Sequence, residues 1–130
     1  MITDKDQIEE YYEAELSRRL IGLIFKTQNS TGKGFAERVY QKVFENILNS
    51  ENISFNKELY CDKVVDGKIV GSYRLDFLIE NKIVVEFKVR DSVYQQDISQ
   101  ILYYLAFKNL RLGLLAHFTN NGVKIKRLIV

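Results

Sequence analysis

The chain predicts an α/β (α+β) fold: a mixed β-sheet with helices packed on it, in the order α-α-β-β-β-α-β-β. Three observations carry this reading. Apolar residues recur at three- and four-residue steps up to residue 50 and again after residue 91. Residues 53–89 and 111–130 instead hold alternating or continuous runs rich in Val, Ile, Phe and Tyr. Clusters of Asn, Asp, Gly and Ser punctuate the two kinds of segment. Helical and strand periods separate on this basis, and their mixture calls for a sheet covered by helices.

The first helix follows from the stripe Ile8, Tyr11, Tyr12, Leu16, Leu20, Leu23 and Ile24, with Thr3 or Asp4 available as its cap. Asn29-Ser30-Thr31-Gly32-Lys33-Gly34 ends it. A second helix runs from about Gly34 to Ser50, with Ala36, Val39, Tyr40, Val43, Ile47 and Leu48 as its inner face. One strand lies within Ile53 to Val65, and Asp66-Gly67 is a hairpin turn. The next strand spans about Ile69 to Ile79, with Gly71 as a bulge position. Ile83 to Val89 is apolar on both faces, as a central strand requires. Asp91 or Ser92 caps a helix reaching about Lys108. Arg111 to Phe118 and Val123 to Val130 are the last strands, joined through Asn121-Gly122.

With 130 residues and 46% hydrophobic content, a single domain over residues 1–130 is expected. The formal charge of +2 neither requires nor excludes nucleic acid, so any basic surface must come from local clustering. The single cysteine, Cys61, rules out an internal disulfide and reads as a small buried residue. The single histidine, His117, reads as partly buried, with no partner at metal-ligand spacing. Residues 1–6 lack the layout of a signal peptide, and no apolar run approaches membrane-spanning length. A cytoplasmic protein is expected.

Three charges stand inside two of the most apolar strands: Asp76 in Tyr73-Arg74-Leu75-Asp76-Phe77, and Glu86 and Lys88 in Val85-Glu86-Phe87-Lys88. Burying such groups is costly unless each is paired. Glu86 and Lys88 share one face because they are two apart. A two-residue turn at Asn81-Lys82 pairs Asp76 with Phe87; a three-residue turn at Glu80-Asn81-Lys82 pairs Asp76 with Glu86. We expect the three-residue register, with Asn81 left-handed. Adjacent carboxylates repel unless a cation lies between them, and oxygen ligands suit Mg²⁺ or Mn²⁺. Lys88 is then placed to orient or deprotonate a water, or to neutralise developing charge. The alternative is a structural ion pair of Asp76 with Lys88, leaving Glu86 solvated at an edge.

Gly34-Phe35-Ala36-Glu37-Arg38-Val39-Tyr40 reads G-x-x-E-x-x-Y, and Asp76, Glu86 and Lys88 follow it, then Gln100-Ile101-Leu102-Tyr103-Tyr104. In this order and spacing the chain resembles the GxxExxY proteins, a family grouped with the PD-(D/E)XK nucleases. The resemblance covers roughly Leu20 to Val130, with Leu75 where the superfamily name has proline. It implies a restriction-endonuclease-like core, with Glu37, Asp76 and Glu86 as metal ligands and Lys88 as the catalytic lysine. It also implies that Gln100 and Tyr104, matching a RecB-like Q-x-x-x-Y element, lie beside the site; Tyr40 lies one helical turn beyond Glu37. The activity implied is Mg²⁺- or Mn²⁺-dependent phosphodiester hydrolysis, with nucleic acid, DNA foremost, as substrate. A second reading is a catalytically silent module that binds or assembles with a protein partner or another copy, and a third is a general nucleic-acid binder that uses only the basic residues. Taken singly, Glu37 and Gln100 also read as surface residues, and Tyr40 and Tyr104 as core aromatics.

Overall fold

A computed structural model describes residues 13–130, in the order α1 (Ala14–Thr31), α2 (Glu37–Ser50), β1 (Phe55–Val65), β2 (Lys68–Ile79), β3 (Ile83–Val89), α3 (Gln95–Phe107), β4 (Leu112–Thr119) and β5 (Gly122–Ile129). Ile8, Tyr11 and Tyr12, and the caps Thr3 and Asp4, lie outside the described residues. The five strands form one sheet in the order β1-β2-β3-β4-β5. Every neighbouring pair is antiparallel except β3 and β4, which are parallel. A parallel pair needs a crossover, and α3 supplies it. The expected α/β architecture and element order are therefore present.

Each face of the sheet carries its own core. On one face α1 and α2 bring Leu20, Ile24, Tyr40 and Phe44 against Phe77, Val85, Phe87 and Leu114. On the other, Ile101, Tyr104 and Leu105 of α3 pack on Cys61, Leu75, Val84 and Leu115. Phe44, fully buried on α2, was not part of the expected inner face, while Ala36 on that face is exposed. Phe44 touches the rings of Phe77 and Phe87 with centroids 5.2 and 5.0 Å away, so truncating it to Ala would cost about 3–5 kcal/mol. β4 is buried along its whole length, and β3 until Lys88, as continuous apolar runs demand. α3 lies so close to β4 that a Cβ on Gly113 would meet Ile101 Cγ2 at 2.7 Å.

One local expectation is corrected and another, the bulge at Gly71, is present. Helix α3 begins at Gln95 with Tyr94 as its cap, not at Asp91 or Ser92. Arg90 pairs with Asp97 at 3.1 Å and stacks over the Tyr94 ring at 4.0 Å, a clasp that spans the start of the helix. The bulge in β2 leaves Val70 as the extra residue beside Gly71, because Lys63 pairs with Gly71 and Val64 with Ile69. β2 pairs with β3 only from Phe77 to Ile79, and the rest of the β1–β2 hairpin meets α3 through Tyr73 and Tyr103, whose hydroxyl donates to the Asp62 carbonyl at 3.2 Å. Among the described residues no helix is long and apolar enough to cross a membrane.

Candidate active site

The turn between β2 and β3 sets the register. Glu80 and Asn81 both take left-handed backbone, with φ of 54° and 57°, and the Lys82 N–H donates to the Ile79 carbonyl at 2.9 Å. Ile79 then pairs with Ile83 and Phe77 with Val85, leaving Glu80-Asn81-Lys82 as a three-residue connection. Glu80 tolerates its conformation because its carboxylate accepts from Ser54 Oγ at 2.9 Å and from the Ser54 N–H at 3.2 Å. One further step in this register sets Asp76 opposite Glu86.

At that step the ladder opens on both sides of Asp76. Toward β3, the backbone N–H of Asp76 donates to Glu86 Oε1 at 3.1 Å, and the N–H of Phe87 donates to Asp76 Oδ2 at 2.8 Å. Each carboxylate thus takes a donor that a regular ladder gives to a carbonyl. Toward β1, Lys57 pairs with Phe77 and Leu59 with Leu75, but Glu58, left-handed at φ 59°, does not pair with Asp76. The break rotates the hairpin. Phe77 faces the α1–α2 core and Leu75 the α3 core, although residues two apart in a regular strand share a face. Asp76 is the residue at this crossing, opposite the left-handed Glu58.

The charges sit deep. Asp76 is 8% and Glu86 2% exposed. Burial first, and the neighbouring Asp76 second, push the Glu86 carboxyl up to about 10, helped by a hydrogen bond between the two carboxyl groups. Such a pair holds a proton or a cation between its members. Glu37, the first residue of α2, is half-buried, and burial followed by Asp76 raises its carboxyl too. Lys88, Arg90 and Arg74 oppose that rise, so Glu37 lies in the field of the same cluster. Lys88 follows Glu86 by two on β3 and is half-buried. The alternative of an Asp76–Lys88 ion pair beside a solvated Glu86 fails: no ion pair joins Asp76 and Lys88 among the described residues, and Glu86 is buried.

The donor chemistry fits a divalent cation at Asp76 and Glu86, since two buried carboxylates side by side make a place where positive charge is stabilised. Among the described residues, however, no three acidic, histidine or cysteine side chains form a ready-made cage. Glu37 is a half-buried electrostatic neighbour of the pair.

The remaining expected residues spread out. The Tyr40 hydroxyl donates to the Gly32 carbonyl at 2.8 Å while its ring stacks on Phe118 with centroids 4.2 Å apart. It therefore ties the loop before α2 to the core. Tyr104 is buried in the α3 core, where burial and then Cys61 raise its hydroxyl. Gln100 is half-buried and lines a groove of about 330 Å³ with Lys63, Tyr73 and Tyr103. Cys61 is buried, as expected. His117 is buried as well, and burial, then Lys124 and Arg90, hold its imidazole below its ordinary range. The sequence offers Arg90 only as one of several basic residues for a backbone-binding surface, whereas its charge reaches both Glu37 and His117. The available signal was its place two residues after Lys88, continuing the Glu86–Lys88 alternation.

Comparison with known proteins adds three findings. The sequence profile of the PD-(D/E)XK nuclease superfamily matches residues 14–128. Two solved structures are similar: the crystal structure of SSO0001, at 22% identity and a TM-score of 0.54 over 93% of this chain and 61% of that one, and an alkaline exonuclease (LHK-Exo) from Laribacter hongkongensis, at 10% identity and a TM-score of 0.51 over 89% of this chain and 70% of that one. At these identities the likeness is one of fold, and the chain spans under two thirds of the first structure's length. No curated protein matches.

Proposed function

Because the chain belongs to the PD-(D/E)XK nuclease superfamily, we propose that it hydrolyses phosphodiester bonds of nucleic acid, DNA foremost, with Mg²⁺ or Mn²⁺. The observation that carries this reading is the buried Asp76–Glu86 pair, each carboxylate fixed by a backbone N–H across an opened ladder. A cation held by Asp76 and Glu86, with Glu37 close by, would supply Lewis acidity toward the scissile phosphate and lower the pKa of an attacking water.

The chain's own groups then divide the work. The two backbone hydrogen bonds hold the carboxylates of Asp76 and Glu86 in place before substrate arrives, so little reorganisation is needed during reaction. Lys88, on the same face as Glu86, orients the attacking water and offsets negative charge as it grows on the phosphoryl oxygens. Glu37 adds negative charge that favours retention of a cation. Gln100 contacts the substrate strand along the α3 groove. Tyr40 and Tyr104 act on positioning through the loop and core they anchor. Gly34, Glu37 and Tyr40, with Gln100 and Tyr104, also support placement among the GxxExxY proteins and the Q-x-x-x-Y branch.

The test is cleavage of labelled single- and double-stranded DNA and RNA with Mg²⁺ or Mn²⁺, against Asp76→Ala, Glu86→Ala and Lys88→Ala. Each substitution should lower the rate by about 10²–10⁴-fold. Activity surviving all three removes the site assignment. A second reading, a silent module that works with a protein partner or a second copy, is favoured by the exposed apolar residues along the hairpin: Tyr60 is 73%, Ile69 65% and Val70 63% exposed. Absence of turnover on every substrate, together with no heat of metal binding by calorimetry, selects that reading.

A further inference from the structure

A cavity of about 180 Å³ opens between α2 and the β1–β2 hairpin, and Asp76 and Phe77 form part of its wall. Its rim is charged: Arg38, Lys42 and Glu45 come from α2, and Lys57, Glu58 and Arg74 from the hairpin. The unpaired step between Glu58 and Asp76 lies at this opening.

The rim charges are not all spent. Glu45 is satisfied by Lys57 at 3.1 Å and lies 4.0 Å from Lys42. Glu58 meets Arg74 at 3.9 Å, both half-exposed, a pair too long and too solvated to hold the arginine tightly. Arg38 has no ion pair among the described residues. Arg38 and Lys42 are one helical turn apart, so they stand on the same face of α2. The cavity thus places exposed positive charge beside the buried Asp76 carboxylate. A polyanion crossing both finds its reacting phosphate at one and a neighbouring phosphate at the other. At about 180 Å³ the cavity is smaller than the roughly 300 Å³ at which pockets for larger organic ligands begin, so it suits a phosphate and not a nucleoside.

We propose that Arg38 and Arg74, assisted by Lys42, seat the phosphodiester next to the one that is cut, so that the chain grips nucleic acid by its backbone, irrespective of sequence. The inference rests on the nuclease reading and adds to it how the substrate is held. Phosphate contacts position a strand but carry no base information, and each adds a fixed increment to the salt dependence of binding.

The experiment separates grip from chemistry by measuring binding in EDTA. Fluorescence anisotropy of two fluorescein-labelled oligonucleotides of unrelated sequence is followed from about 50 to 200 mM NaCl. The full chain is compared with Arg38→Ala, Arg74→Ala, Arg38→Lys and a control, Lys126→Ala on the exposed side of β5. Each alanine variant should bind both oligonucleotides several-fold more weakly, and its slope of log K against log salt should be smaller by about 0.7–0.9. Arg38→Lys should keep the slope, because the charge remains, which separates a lost phosphate contact from a damaged fold. Lys126→Ala should match the unaltered chain. Unchanged slopes in both alanine variants, loss confined to one oligonucleotide, or no binding by the unaltered chain would each overturn the proposal. Binding of the predicted kind by a chain that cuts nothing would remove the nuclease reading and leave the phosphate seat standing.

Discussion

Glu86→Gln should flatten the fall of stability with pH in metal-free protein. In the unfolded chain the Glu86 carboxyl has an ordinary value of 4.5; in the folded chain burial and Asp76 push it up to about 10. Between those limits the native state binds one more proton than the unfolded state. The derivative of unfolding free energy with pH is then negative: the contribution is full below about 4.5 and drains away as pH rises toward about 10. One proton corresponds to about 1.4 kcal/mol per pH unit, or about 2.7 kcal/mol between pH 6 and 8. The slope depends only on the working pH lying between the two values. At 2% exposure, solvent screening removes little of it. Glutamine has the same shape and can still donate to Asp76, but it cannot ionise, so this slope disappears. Urea unfolding in EDTA at pH 6, 7 and 8 reads it as the difference between the two proteins, in which other titrating groups cancel. Added Mg²⁺ should stabilise the unaltered protein more at pH 8 than at pH 6, because there the cation replaces a proton that is costly to hold, and should do little for Glu86→Gln. Parallel pH dependences in EDTA would mean that Glu86 is ionised in the native state, and the argument for a shared proton would collapse.

Three other outcomes follow from the packing. Tyr40→Phe removes the hydroxyl from the Gly32 carbonyl and keeps the ring on Phe118, so chemical denaturation should show a loss of about 0.5–1.5 kcal/mol while cleavage stays within about twofold; a tenfold fall in rate at unchanged stability would move Tyr40 into the chemistry. Gly113→Ala places a Cβ 2.7 Å from Ile101 Cγ2 and should cost about 1–3 kcal/mol as α3 is pushed off β4, with an unchanged urea midpoint arguing against that close approach. Asn81→Gly, at φ 57°, should leave the thermal midpoint nearly unchanged, because glycine's ease in left-handed backbone is offset by the greater entropy its unfolded chain loses, and a fall of more than about 1 kcal/mol would reveal a task for the Asn81 side chain.

Much of the site was legible because strand alternation and turn length are local. The spacing of Glu86 from Lys88 fixes a shared face, and Glu80-Asn81-Lys82 fixes which residue stands opposite Glu86. Other features had no local signature. Glutamate has no preference for left-handed backbone, so nothing in residues 55–65 announced the break at Glu58 that turns Leu75 and Phe77 to opposite cores. The start of α3 was misplaced because Asp91 and Ser92 are good caps by themselves, whereas the helix begins at Gln95, within the span of the Arg90 clasp on Tyr94 and Asp97.

By itself, then, the sequence determined the order of the elements, the register of the central hairpin and the identity of the paired charges, all of which follow from period and chain geometry over a few residues. Only the tertiary structure decided which groups share a field. It brought Glu37 of α2 toward Asp76, left the Tyr40 and Tyr104 hydroxyls to the loop and the core, and gathered Arg38, Lys42, Lys57 and Arg74 around one cavity beside Asp76. Those choices depend on residues far apart in the chain, and on how much water the packed elements leave between them.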